Sequence, residues 1–144
     1  MIIKSYELKK LNFEKNHLFL LYGENEGLKN EIINDYFYNK YSKNYFKYEE
    51  KEIINSQENF FDNIFNKSFF EKKKIIIISR VSDKILEIVE RIIENKIQDI
   101  KIIINAGNLD TKSKLRKFFE KSKENICIPF YADNHQNLSS IANN

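Results

Sequence analysis

The stretch LLYGENEGLKN, residues 20–30, contains the residue types of a nucleotide-binding loop. An apolar run leads into Gly23, a second glycine follows at Gly27, and a lysine comes soon after at Lys29. In a phosphate-binding loop of the form G-x-x-x-x-G-K-[ST], glycines let backbone amides surround the phosphates, the lysine contacts the terminal phosphates and the hydroxyl binds magnesium. Phosphate binding is therefore the first chemistry that this sequence suggests.

The loop departs from that pattern in spacing and in charge. Its two glycines are one residue too close together, Leu28 stands where the lysine belongs, and Asn30 follows Lys29 in place of a hydroxyl residue. Two acidic side chains would also repel a polyanion, those of Glu24 and Glu26. The favoured interpretation is a turn between a strand and a helix that binds no nucleotide.

An ATPase of this type also needs a carboxylate at the end of a central strand, where it holds magnesium. The apolar run at 75–79 is the best candidate for that strand, and it ends in Ser79 and Arg80 without an acid. Asp83 comes four residues later, and we interpret it as a helix cap. ATP hydrolysis by this chain is therefore not expected.

Other residues that could do chemistry are scattered. The two histidines, His17 and His135, have no spacing typical of metal ligands. Three glutamates cluster after the second apolar run, and we interpret them as a solvated loop: Glu49, Glu50 and Glu52. We predict no catalytic residue, no metal site and no cofactor.

Length and composition indicate one folded domain. The chain has 144 residues, 42% of them hydrophobic, and a formal charge of +3 with no basic stripe. Cys127 is the single cysteine and lies within the apolar run ICIPF, so we expect a buried thiol in a reducing compartment. No apolar run approaches the ~18 residues of a membrane span, and the start lacks a signal-peptide pattern. A soluble, cytoplasmic protein without membrane contact is the expectation.

Short apolar runs predict the elements that position these residues. There are five such runs, at 17–22, 45–48, 75–79, 100–105 and 125–130. Three of them are nearly continuous aliphatic stretches, as in parallel strands that are buried on both faces, whereas the run at 45–48 alternates as in an edge strand. Helical patterns lie between the runs, at about 26–40, after Ser56, along Ile85–Ile93, and after a cap at Asp110 or Thr111. The predicted fold is α/β, a three-layer parallel sheet of about five strands with helices on both faces.

An aromatic pair stands out between the second helix and the third strand. Phe69 and Phe70 are out of step with the helical stripe that ends at Phe65, and lysines flank them. One interpretation is that one ring packs and the other is incidentally exposed. The alternative is a hydrophobic plug for the pocket of a partner protein, because a few aromatic anchors can dominate an interface.

Four segments together resemble one family, the delta subunits of the bacterial DNA polymerase III clamp loader. These are SYELKKLNFEKNHLFLLYGENE, SFFEKKKIIIIS, NLDTKSKLRKFF and LSSIA, in the order and spacing of that family. The resemblance covers the chain as the family's N-terminal domain, residues 1–132, with 133–144 as the start of the next domain or a linker. It implies an AAA+ fold whose nucleotide loop has decayed. Gly27 departs from the bulky apolar residue that is usual in the family.

The same resemblance implies a function. A delta subunit binds the sliding clamp, the beta subunit, and opens it by inserting adjacent hydrophobic residues into a pocket on its surface. Those residues correspond to Phe69 and Phe70, with Ser68 and Phe65 as supporting neighbours. Further domains would bind the other clamp-loader subunits, tau or gamma and delta prime, and DNA would lie within the assembly.

Two other functions remain open at this stage. One is a divergent nucleotide-binding α/β enzyme that uses the loop from Gly23 to Lys29. The other is a single-strand nucleic-acid binder, for which the basic segment DTKSKLRK offers Lys112, Lys114 and Arg116 as weak DNA contacts. For that segment we favour a capped, solvated helix.

Overall fold

A computed structural model describes residues 1–4, 7–8, 15–38, 45–65, 74–96 and 100–130 of the protein. Its five strands, β1 to β5, are Leu18–Tyr22, Tyr45–Glu49, Lys74–Ser79, Ile100–Asn105 and Ile126–Pro129. Each strand coincides with one of the five apolar runs, and its two ends agree with that run to within one residue. The strand predictions are therefore confirmed.

The strands form one parallel sheet in the order β2-β3-β4-β1-β5. β2 pairs only with β3 within the described chain, which confirms that the alternating run at 45–48 is an edge strand. At the other side of the sheet, Ile2 forms a parallel bridge with Cys127 of β5. That extra pairing was not predicted from the sequence.

Helices cover both faces of this sheet, so the three-layer α/β prediction is confirmed at that level. Five α-helices are described, α1 to α5: Glu26–Ile33, Glu50–Asn55, Gln57–Phe65, Ile85–Glu94 and Lys114–Lys121. A π-helical turn, Asn34–Tyr38, continues α1. No described helix has the length and apolar character needed to cross a bilayer.

The direction of each crossover decides which face a helix covers. The chain runs from β1 to the far edge at β2 and then returns step by step, so the first right-handed connection lies on the opposite face from the later ones. One face packs α1 and its π-helical turn over a cluster that includes Phe19, Leu21, Ile77 and Ile103. The other packs α2 to α5 over a cluster that includes Leu20, Ile76, Ile102 and Phe119. Burial on both faces explains the aliphatic runs.

Two local predictions are wrong. The acidic residues after β2 do not form a loop, because Glu50 begins α2 and is only 9% exposed. The cap of α5 is Ser113, whose hydroxyl accepts a hydrogen bond from the Arg116 amide, rather than Asp110 or Thr111. In both cases the sequence contains several equivalent polar residues, and tertiary contacts select one of them.

Candidate functional site

Strands β1 and β4 define the place where a ligand is expected in this fold. They are neighbours in the sheet, yet α1 and α5, the helices that follow them, lie on opposite faces. In open α/β sheets such a topological switch point leaves a crevice beyond the carboxyl ends of the strands, and ligands bind there. The loop with Gly23 and Lys29 follows β1 directly, so it lies at that crevice.

Gly23 is required by close packing of the backbone. Its φ is +122°, a left-handed conformation that side chains rarely adopt, and its amide donates to the Gly107 carbonyl at 2.9 Å. A Cβ at this position would lie 1.8 Å from the carbonyl oxygen of Phe130. The glycine therefore lets three segments of backbone meet after β1, β4 and β5.

Lys29 fills the crevice from inside. Its side chain is fully buried, and its Nζ donates to Glu26 Oε1 at 2.6 Å and to the Ala106 carbonyl at 2.7 Å. A buried ammonium requires such partners, because an unpaired charge away from water is very costly. Lys29 thus ties α1 to the segment after β4. In this arrangement its charge is satisfied by the protein itself.

At the start of α1, a backbone amide also has its hydrogen-bond partner within the protein. The Asn25 side chain accepts a hydrogen bond from the Leu28 amide at 3.1 Å, which is the position that a bound anion would take at a helix N-terminus. Gly27 lies in the first turn, and a Cβ there would meet only the Asn25 side chain at 3.8 Å. The structure therefore has no steric requirement for a glycine at position 27. Across the rim, the Asn108 amide donates to Glu24.

Acidic side chains lie at the carboxyl edge, but not as a set of metal ligands. Glu50 accepts hydrogen bonds from Ser82, from the amide at 2.8 Å and from the hydroxyl at 3.0 Å. Arg80, with a φ of +54°, pairs with Glu49 at 3.4 Å. The described residues contain no group of three potential metal ligands. The Glu50 contact was missed from the sequence, since the only local signal was its position directly after the edge strand.

Asp83 was predicted to cap the helix that follows it, and this prediction is wrong, because α4 begins after Lys84 without a side-chain cap. Asp83 instead caps α5 across the interface between helices. Its carboxylate accepts from the Ser113 hydroxyl at 2.6 Å and from the amides of Lys114 and Leu115. The Ser113 hydroxyl is the main cause that lowers the pKa of Asp83, and the two amides add to it. Asp83 therefore holds the start of α5 against the turn before α4.

The basic residues of the segment DTKSKLRK differ in burial. Arg116 is half-buried, donates to the Leu109 carbonyl at 2.8 Å and lies over the Tyr22 ring at 5.1 Å. Lys112 and Lys114 are exposed at the start of α5. The arrangement matches the capped helix that we favoured, with Arg116 used in packing.

Cys127 lies in the core of the sheet. Its side chain is fully buried in β5, as predicted, and burial raises the pKa of the thiol to about 11. A thiol of this kind is a poor nucleophile at neutral pH, because the thiolate is the reactive form. Cys127 is therefore a packing residue.

The residues assigned to clamp binding fall between α3 and β3. Phe69, Phe70 and Ser68 lie outside the described residues, and Phe65 is the last residue of α3. The segment at 66–73 returns to the sheet at Lys74, the first residue of β3. Since the strands are parallel, this return point belongs to the amino edge of the sheet, opposite the loop of Gly23.

The described surface beside that return point is open and partly apolar. The Lys74 ammonium lies 5.3 Å from the centroid of the Phe46 ring, and burial lowers the pKa of Lys74. Phe46 is 37% exposed, unusually high for a large apolar side chain in this protein. A cleft of about 250 Å³ is lined by Phe46, Tyr48, Asn63, Ile64, Lys74 and Ile76.

Comparison with known protein families and with curated proteins identifies no relative of the chain. A scan of the chain against models of protein families finds no match, and a search among curated proteins finds no similar sequence. The function must therefore be argued from the motifs and the geometry.

Proposed function

We propose that residues 1–132 are the N-terminal domain of a clamp-loader delta subunit, a component of the DNA polymerase III holoenzyme. The domain binds the sliding clamp and helps to open it for loading onto DNA, and it hydrolyses no ATP itself. The observation that carries the proposal is the state of Lys29. A loop at the nucleotide position of an α/β sheet uses its lysine to bind Glu26 and Ala106, as expected for an AAA+ domain whose nucleotide site has become structural.

The proposed contact uses Phe69 and Phe70 as anchors, with Ser68 and Phe65 beside them. Aromatic anchors inserted into a pocket dominate many protein interfaces, while their neighbours exclude water. The first described residue after this segment, Lys74, begins β3 and so lies at the amino edge of the sheet. A wedge there captures one clamp subunit and favours the open ring, leaving the carboxyl edge uninvolved.

Residues 133–144 lie outside the described residues, and we assign them to the start of the next domain. Contacts with the tau or gamma and delta prime subunits belong to such further domains. DNA then lies within the assembly, which works in the cytoplasm.

The test is binding of the cognate clamp, measured by calorimetry. We expect the double variant Phe69→Ala/Phe70→Ala to weaken binding by at least about 100-fold, because each anchor of this kind contributes about 2 kcal/mol or more. Ile2→Ala is the matched control, since Ile2 is 49% exposed beside β5, on the far side of the sheet. Equal affinity of the double variant and the wild type would contradict the proposal.

The nucleotide-binding alternative makes an opposite prediction. A nucleotide at 100 times its dissociation constant stabilises a protein by about 3 kcal/mol, which raises its melting temperature measurably. With Lys29 bound to Glu26 and Ala106, we expect no change in a titration with magnesium-ATP. A saturable rise that Lys29→Met removes would favour the alternative.

The nucleic-acid alternative rests on the exposed Lys112 and Lys114. It predicts oligonucleotide binding that weakens steeply with salt. We expect no such binding by the domain alone, because Arg116 is engaged in packing.

A further inference from the structure

A second cleft lies on the amino edge of the sheet, beside β1 and β4. It encloses about 660 Å³, within the range of about 300–1,000 Å³ that is typical of binding pockets. Five aliphatic side chains line it: Leu18, Ile92, Ile93, Ile100 and Ile102. Ile93 was predicted from the sequence to belong to the buried stripe of α4, yet it is 38% exposed. It shares the cleft wall instead, so an apolar contact is available there.

The remaining lining of this cleft is mainly cationic. Lys15, Lys96 and Lys123 are exposed at its rim, and Glu124 is the one acidic residue of the lining. Asn16, His17 and Asn125 complete it. An apolar wall with an excess of positive charge is complementary to an apolar side chain that has carboxylates around it.

The backbone of Lys96 positions this residue at the cleft. Its φ is +49°, the left-handed conformation in which many helices end and in which glycine or asparagine is preferred. A lysine at this position costs some stability relative to glycine. Here it places a cationic residue at the mouth of the cleft.

The cleft is close to Lys74, where the segment with the proposed anchors joins β3. β3, β4 and β1 are successive neighbours in the sheet, at a spacing of about 4.8 Å. The floor residues Ile100 and Leu18 are the first residues of β4 and β1, so they lie one and two strands away from Lys74. An ordinary protein interface contains about 20–30 residues on each side, which is enough to span both places.

We infer that this cleft is a second contact site for the sliding clamp, which would insert an apolar side chain flanked by aspartate or glutamate. The inference rests on the proposed function, since it names the clamp as the partner. In this arrangement the segment at 66–73 supplies anchors to the clamp, and the cleft receives one from it. The two contacts together fix the orientation of the domain on the ring.

The experiment compares the affinity of the cognate clamp for four single variants and the wild type, by calorimetry at two salt concentrations. Ile93→Asp places a negative charge at the wall, and we expect binding to weaken at least about 10-fold. Lys96→Gly removes one cation and also relieves the left-handed strain, so the protein keeps its stability. We expect it to weaken binding about 3-fold to 10-fold at low salt and less at high salt.

Matched controls are Ile2→Asp, an exposed isoleucine beside β5, and Lys112→Gly, an exposed lysine before α5. Both should bind as the wild type does. If the wild type binds and Phe69→Ala/Phe70→Ala does not, but Ile93→Asp and Lys96→Gly bind normally, the cleft is no clamp contact and the proposed function stands. If the wild type itself does not bind the clamp, the proposed function fails and the second contact fails with it.

Discussion

The crevice after β1 and the amino edge of the sheet differ in what they present: the crevice is filled by polar groups that bond to one another, and the amino edge exposes apolar side chains. At the carboxyl edge, the Gly23 amide bonds to Gly107, Lys29 bonds to Ala106, and Asn108 bonds to Glu24. A cleft of about 660 Å³ lies open at the amino edge and one of about 250 Å³ beside the edge strand β2, with Ile93 and Phe46 exposed in their walls. The crevice after β1, where this fold usually binds ligands, is closed by these contacts, and the amino edge beside β1 and β4 is open.

This difference shows that the fold alone predicts where a ligand site is expected, but not whether a ligand binds there. A ligand can bind at a switch point when polar groups there lack partners within the protein, and Lys29 and Asn25 have such partners here. Exposed apolar side chains with cations around them are instead typical of protein interfaces. The experiments below test whether the carboxyl edge is as closed as its contacts indicate.

The largest effect is expected at Gly23. Gly23→Ala places a methyl group 1.8 Å from the Phe130 carbonyl oxygen and forces a left-handed conformation on alanine. Relief requires the ends of β1 and β5 to separate, so we expect a loss of more than about 4 kcal/mol in the free energy of unfolding, or failure to fold. Urea denaturation followed by circular dichroism measures this.

Gly27→Ala is the matched control for that variant. Gly27 lies in α1 with open space around it, and alanine is the better helix former, so we expect a gain of about 0.5–1 kcal/mol. Two alanine variants of similar stability would show that the backbone junction at Gly23 is not tightly closed.

Lys29→Met should have the next largest effect. Methionine retains much of the apolar stem but leaves the Ala106 carbonyl without its donor, at a cost of about 1–3 kcal/mol. Lys51→Met, at an exposed position of α2, should change stability by less than about 0.5 kcal/mol. If the two variants melt at the same temperature, Lys29 does not hold the crevice closed, and the contrast between the edges weakens.

The smallest effect concerns Asp83, which joins α5 to the turn before α4. Its pKa in the folded protein lies below the ordinary value of 3.8, mainly because Ser113 donates to it. A lowered pKa stabilises the fold above pH 3.8, and this contribution is lost as the pH falls through the folded pKa. We expect Asp83→Ala to cost about 1 kcal/mol at neutral pH, as for the loss of a helix cap.

Urea midpoints between pH 7 and pH 3 check the Asp83 prediction. The difference between wild type and variant should be constant near neutrality and should shrink in the most acidic samples. Asp62→Ala, at an exposed position of α3, is the control and should show no comparable difference. If the difference in urea midpoint between wild type and Asp83→Ala grew as the pH fell, the Asp83 carboxylate would not stabilise the start of α5.

The sheet was predictable because its signal is local. Parallel strands that are covered on both faces need continuous aliphatic residues, and the runs at 75–79 and 100–105 supply them. The alternation at 45–48 likewise predicted the edge strand. Right-handed crossovers then place helices on both faces without any further information.

The contacts of the site were not predictable, because they join distant parts of the chain. Lys29 and Ala106 are 77 residues apart, and nothing near either residue indicates the other. Glu50 was taken for a loop residue because its partner, Ser82, lies 32 residues away. The start of α5 offered several capping residues in sequence, and only the position of Asp83 in space selects Ser113. The proposed anchors at 69 and 70 lie outside the described residues.

The burial of Cys127 has a practical consequence. It is the single thiol of the chain, and its backbone links β1, β5 and the first residues of the protein. A thiol reagent can modify it only when this region opens, so the labelling rate under native conditions reports the free energy of that opening. The labelling rate of Cys127 is therefore a measure of how often this part of the sheet opens. Every variant described above can be compared by this labelling rate without introducing a further cysteine.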